Sequence, residues 1–89
     1  MTKDLNIPKL RLKLIELYSM YLENPDNQLL KETFQLINSE FRDADNLMSS
    51  RMAQAVNWSL HLGLDLENAP DVKEIKKLIA DLKAENEQS

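Results

Sequence analysis

Residues 10–41 read LRLKLIELYSMYLENPDNQLLKETFQLINSEF, and the fold turns on how this stretch is parsed. At its start Lys9-Leu10-Arg11-Leu12-Lys13-Leu14 alternates charged and apolar residues, as a half-buried strand would. Leu10, Leu14, Tyr18 and Tyr21, however, recur at helical spacing with Leu17 beside them, and the helical period continues through Leu22. No second strand is available for pairing. The segment therefore reads as a helix from near Pro8 to near Glu23. Asn6 is its cap, and Pro8 lies in the first turn, where a missing N–H costs nothing. Asn24-Pro25-Asp26-Asn27 then breaks the pattern. Pro25 turns the preceding residue away from helical backbone, and Asp26 or Asn27 caps a second helix. That helix runs to about Phe41 and buries Leu30, Phe34, Ile37 and Phe41.

Outward from this stretch the same period recurs twice. Arg42-Asp43-Ala44-Asp45-Asn46 reads as a polar turn. A third helix over about 47–62 places Met48, Met52, Ala55, Val56, Ser59 and Leu60 on one face. Gly63, the single glycine of the chain, suits the left-handed residue that follows a helix end. The connection 64–69 is the longest, with Leu64 and Leu66 expected to tuck under the helices. A fourth helix starts at Pro70 with Asp71 in the first turn. It buries Val72, Ile75, Leu78, Ile79 and Leu82, and residues 85–89 are expected to fray. Helices at about 8–23, 27–41, 47–62 and 70–84, joined by short links, predict one all-α domain over 1–89. The expected architecture is an antiparallel up-down four-helix bundle.

Composition narrows the function. With 89 residues, 43% of them apolar, the chain can bury one modest core. One glycine is too few for a β-sandwich or a glycine-rich phosphate loop. The absence of cysteine removes disulfides, thiolate metal sites and cysteine nucleophiles. The N-terminus shows no signal-peptide pattern, and no apolar run approaches the roughly 20 residues of a membrane span. The expected location is therefore cytoplasmic. The formal charge of −4 is uneven: residues 1–15 hold Lys3, Lys9, Arg11 and Lys13 against Asp4, while seven basic residues face fourteen acidic ones in the rest. An acidic body disfavours nucleic acid, and the third helix has only Arg51 as a permanent cation. The basic start offers peripheral contact with an anionic membrane surface through Lys9, Arg11 and Lys13.

The side chains that could carry chemistry are sparse. His61 is the only histidine, and Asp65, one turn on, falls past Gly63. A general base needs orienting and tuning neighbours, so His61 reads as structural or solvent-exposed. No two carboxylates are set apart by an apolar setting. The chain is expected to have no catalytic residue, cofactor, metal or small-molecule substrate, and to work by binding a protein. Trp58 lies off the main stripe of the third helix, where it either covers the rim of the core or meets a partner. Arg51 needs solvent or an acid, and an intramolecular salt bridge is the expected solution. Tyr18, Met20 and Tyr21 give the first helix more bulk than one face buries. Lys73 and Lys76 belong to the charged face of the fourth helix. Arg51, Trp58, His61, Asp65, Lys73 and Lys76 form the candidate contact set.

Several of these stretches together resemble the bacteriocin immunity proteins of the enterocin A immunity type. Leu17-Tyr18 opens a helical stretch closing at Asn24-Pro25, and Leu29-Leu30-Lys31 follows in the second helix. Ser50-Arg51-Met52 with Ala55-Val56 is similar to the family's SRM-x-x-A-[IV] pattern. A Gly-Leu-Asp-Leu turn precedes a final helix containing Lys77-Leu78-Ile79-Ala80-Asp81-Leu82. The resemblance implies a left-turning antiparallel four-helix bundle that protects a cell from a pore-forming, pediocin-like peptide. It implies recognition, from the cytoplasmic side, of the peptide bound to a sugar-phosphotransferase permease. It places specificity in the C-terminal half. The rival reading is a small adaptor or regulator that binds a protein, or self-associates, through a helix face.

Overall fold

The computed structural model describes residues 5–88, so Lys3 and Asp4 of the basic start, and Ser89, lie outside the described residues. Among the described residues the protein is all-helical, with no strand. Its elements are α1 (Ile7–Glu23), α2 (Gln28–Phe41), a 3₁₀ segment (Arg42–Leu47), α3 (Ser50–Gly63) and α4 (Val72–Gln88).

Each helix starts where a short polar side chain accepts an orphan N–H. Asn6 Oδ1 accepts from the Lys9 N–H at 3.0 Å, and Asn27, rather than Asp26, accepts from Leu30 at 3.2 Å. α3 begins at Ser50 rather than 47, because Ser49 Oγ accepts from the Met52 N–H at 3.2 Å. The expected polar turn before it is wound as 3₁₀ up to Leu47, with Ala44 out of helical conformation. α4 begins at Val72, not Pro70. Asp71 Oδ1 accepts from the Glu74 N–H at 2.8 Å, and Glu74 Oε1 accepts from the Asp71 N–H at 3.1 Å. This reciprocal capping box outweighs the proline as the start signal.

The expected role of Gly63 is corrected. It is the last residue of α3 and does not have a positive φ. The left-handed residue is Asp65, at φ 54°, and the Leu66 N–H reaches back to the His61 carbonyl at 3.0 Å. That 6→1 bond makes the end a Schellman turn with aspartate where glycine is usual. Glycine is needed at 63 for space: a Cβ there would stand 2.6 Å from Gln35 Cγ and 2.9 Å from the Lys31 carbonyl oxygen. Gln35 Nε2 donates to the Gly63 carbonyl at 2.9 Å across the same contact.

One apolar cluster joins all four helices, with Leu10, Leu14, Leu17 and Tyr18 from α1, Leu30, Phe34 and Ile37 from α2, Met52, Ala55, Val56 and Leu62 from α3, and Ile75, Leu78, Ile79 and Leu82 from α4. Tyr18 and Tyr21 lie tilted and edge-on to Phe34, with ring centroids 5.1 and 5.9 Å away. Phe41, Met48 and Leu60 are only partly buried. Val72 is 56% exposed, and Leu64 and Leu66 face solvent rather than tucking under the helices. Backbone bonds within the connection return the Leu66 N–H to the His61 carbonyl and the Ala69 N–H to the Leu66 carbonyl, and Lys31 Nζ lies 3.0 Å from Asp65 at its surface.

Polar pairs fix how the helices run past one another. Arg11, early in α1, lies 3.6 Å from Glu85 and donates to Asn86 at 3.3 Å, both late in α4. Ser49 and Arg51, at the start of α3, bond to Glu85 and Asp81 at 2.6 and 2.7 Å. Asn38, late in α2, donates to the Val56 carbonyl, whereas Lys31, early in α2, pairs with Asp65 beyond the end of α3. The end of α4 is thus tied down by two other helices and does not fray as expected. α2 packs most on α3 and α1 most on α4, while α1 and α2 meet thinly.

Candidate functional site

Two surfaces stand out, one on each half of the molecule. The first is an edge of α3. Arg51, Gln54, Trp58 and His61 follow at intervals of three, four and three, which at 100° per residue places them on one side of the helix. All four are partly buried. Arg51 Nε and Nη2 reach the same Asp81 carboxylate oxygen at 2.8 and 2.7 Å, and Nη1 donates to Gln54 Oε1. The charge that the sequence required to find an acid has therefore found one, on α4. Trp58 packs one side against the apolar cluster and keeps part of its ring at the surface. His61 Nδ1 is buried and has no hydrogen-bond partner among the described residues.

The other candidates disperse. Asp65 is exposed beyond the helix end, turned to Lys31 on α2. The Asp65 carboxylate beside it raises the pKa of Lys31. Lys73 and Lys76 are exposed on α4, away from its buried Ile75–Leu78–Ile79–Leu82 face. Arg51, Trp58 and His61 share one side of α3, whereas Lys73 and Lys76 belong to α4 and Asp65 lies past the end of α3. Among the described residues no three His, Asp or Glu side chains are placed to hold a metal ion.

The second surface is an open groove of about 1250 Å³ between the first half of α1 and the end of α2 with its 3₁₀ extension. Its walls are the start of α1 and the end of α2, while Tyr18 and Tyr21 of α1 meet Phe34 of α2 further along the same pair of helices. Leu10, Ile37 and Phe41 form its apolar lining, and Leu12 and Leu47 stand at it 50% and 62% exposed. Lys9 and Lys13 lie on the α1 side, and Glu40 and Asp43 lie on the α2 side. The expected basic patch is corrected here. Lys9 and Lys13 are exposed, but Arg11 is buried at 7% and turned to Glu85 and Asn86. The alternation that looked like a strand hid this, since position 11 shares the buried face of the helix with Leu14, Leu10 and Tyr18.

Sequence reasoning did not find the groove. Leu12 was the visible signal, an apolar residue off the main stripe of α1, but Leu47 was assigned to a helix that in fact starts three residues later. Asn38 was missed as well. It is buried and donates to the Val56 carbonyl at 3.0 Å, fixing α2 against α3. No protein-family model, curated protein or solved structure matches the chain.

Proposed function

We propose that this chain is a non-catalytic immunity protein, an antiparallel up-down four-helix bundle that protects its cell from a pore-forming peptide. It acts from the cytoplasmic side by binding a membrane receptor already occupied by that peptide, without cofactor, small-molecule substrate or nucleic acid. Two features support the setting: no described helix is long and apolar enough to cross a membrane, and the paired helix ends are compatible with neighbours of opposite direction.

The observation that carries the reading is the half-buried Trp58 on the Arg51–His61 edge of α3, in the segment that bears the resemblance. The motif positions around it have structural work. Ser49, just before it, caps α3, Arg51 fastens α3 to α4, and Met52, Ala55 and Val56 are buried. That leaves Trp58 as a rigid aromatic with one face anchored and one available, the kind of side chain that dominates binding energy at interfaces. Expression in a bacterium sensitive to pediocin-like peptides should raise resistance to at least one member of a panel. Trp58→Ala should abolish that resistance while lowering stability by only about 1–2 kcal/mol, below the ~3–5 of a fully buried large aromatic. Absence of protection against the whole panel would remove the reading.

A further inference from the structure

In sequence, α4 mixes lysines and acids evenly, as if they paired along the helix. The structure sorts them. The acids before its last turn are engaged inside the fold: Glu74 caps the helix start with Asp71, Asp81 holds Arg51, and Glu85 meets Ser49 and Arg11. Lys73, Lys76, Lys77 and Lys83 are all exposed, and none of them has an ion-pair partner among the described residues. At 100° per residue they fall with Ala80 and Ala84 within an arc of about 120°, opposite the buried apolar stripe. The flank that carries Asp81 and Glu85 is turned to α3. The lysines run about 15 Å along the helix, and Glu87, beyond their end, is the one acid of α4 on the same arc.

Helix physics does not account for this stripe. Lys73 and Lys76 stand in the first two turns, where the helix dipole disfavours cations. Lys73 also repels Lys76 and Lys77 at spacings of three and four. The occupant follows from what the face lacks. No α4 residue lines the α1–α2 groove or the smaller cavity beside α2 and α3, and only two alanines lie among the lysines. A protein partner needs apolar or aromatic anchors, and lysine is depleted at such interfaces. A nucleic acid is read by arginine or stacked on aromatic rings, and the face has neither. The remainder of the chain, with seven basic and fifteen acidic side chains, repels any polyanion that reaches around it. A planar array of anionic headgroups needs no pocket and no anchor. It meets only the face laid upon it, and salt screens the acids on the far side of the molecule.

We propose that α4 is a membrane-contact helix, whose Lys73, Lys76, Lys77 and Lys83 face lies on anionic phospholipid headgroups through charge, without insertion. The basic contact surface is thus on α4 rather than on α1, where Arg11 is buried and Glu16 lines the same groove as Lys9 and Lys13. Each lysine should contribute about fivefold to partitioning.

Vesicle co-sedimentation tests this. The chain should pellet with phosphatidylcholine vesicles containing about 30% phosphatidylglycerol at about 50 mM salt, and stay in solution at about 0.5 M salt or with phosphatidylcholine alone. Lys73→Gln with Lys77→Gln should lower partitioning roughly 20-fold, with the urea melt unchanged or shifted upward, since like charges are removed. Lys9→Gln with Lys13→Gln should change it by no more than about twofold. No pelleting at low salt, pelleting that persists at high salt or without phosphatidylglycerol, or an α1 pair that matters as much as the α4 pair would each overturn the proposal. So would a chain that binds polyglutamate or a DNA duplex and leaves the vesicles unbound. The lipid and salt arms use the parent chain and do not depend on how the variants fold. Trp58→Ala should pellet like the parent, so membrane contact and protective function can fail separately.

Discussion

At the scale of single residues, the positions that matter most are those where local chemistry and packing disagree. Gly63 is one. Had it been the left-handed residue, alanine there would carry a modest backbone penalty. In the structure the penalty is steric, because the new methyl would meet Gln35 Cγ and the Lys31 carbonyl. Gly63→Ala should therefore cost about 1–3 kcal/mol, the range of an overpacked core, measured by urea unfolding. The backbone strain sits at Asp65 instead. Asp65→Asn should be nearly neutral, since asparagine tolerates φ above zero and the exposed Lys31 pair contributes little. Asp65→Val should cost about 1–2 kcal/mol, because a branched side chain does not fit there. Tyr18 is the other such position. Its hydroxyl donates to the Ala55 carbonyl at 2.6 Å inside the core. Burial raises its pKa well above the ordinary phenol value, with the Ser59 hydroxyl opposing. Above about pH 10 the unfolded tyrosine loses its proton and the folded one keeps it, so the unfolded state binds fewer protons. Stability should then fall by about 1.4 kcal/mol per pH unit from this group alone, and Tyr18→Phe should remove that part of the slope. Urea melts of both chains at pH 7, 10 and 11 measure the difference.

At the scale of elements, the sequence was most legible where one strong signal acted alone. Asn6 with Pro8, and Asn27 after the Asn24-Pro25 break, set the starts of α1 and α2 where the pattern placed them. Periodicity found the buried stripes of α1 and α2 because each is built from residues at uninterrupted helical spacing. It misjudged positions where two signals competed. Pro70 and Asp71 both mark a helix start, and the proline was given priority; the reciprocal Asp71–Glu74 bonds show that the aspartate has it. Leu47 and Met48 continue the apolar pattern of α3 backwards, but Ser49 supplies the cap and the chain before it winds as 3₁₀. The α3 edge was legible as residue types but not as a site, because the pairing of Arg51 with Asp81 depends on which helix packs alongside. The groove was illegible, since its walls come from the start of α1 and the end of α2 and no local pattern records that these lie side by side. The caps themselves are testable. Asp71→Ala should cost about 1 kcal/mol through loss of one N-terminal acceptor. Ser49→Ala should cost more, about 1–2 kcal/mol, because Ser49 Oγ also donates to Glu85 at 2.6 Å and so ties α3 to α4.

At the scale of the whole molecule, the last turn of α4 matters more than its polar sequence suggests. Ala84-Glu85-Asn86-Glu87-Gln88 has no apolar stripe, and on propensity alone it would fray. It is ordered because Glu85 faces Ser49 and Arg11, and Asn86 accepts from Arg11, so the end of the fourth helix closes over the start of the first and third. Arg11 makes this closure consequential. It is the only buried cation among the described residues, and a guanidinium out of water is tolerable only while oppositely charged and polar groups accompany it. A chain ending at Ala84 deletes two of those groups and no core residue. A view of the tail as a frayed end predicts an unchanged melt. The structure predicts a loss of about 2–3 kcal/mol, somewhat under the 3–5 of a fully buried broken pair because Glu85 keeps some solvent contact. For a domain of this size that corresponds to a drop in Tm of roughly 10–20 °C. The control is Arg11→Met in the shortened chain. If the loss comes from a buried charge deprived of Glu85 and Asn86, removing the charge should restore most of the stability, since methionine keeps the apolar stem and needs neither group. If the shortened chain is destabilised and methionine does not restore it, the tail acts through helix length rather than through Arg11.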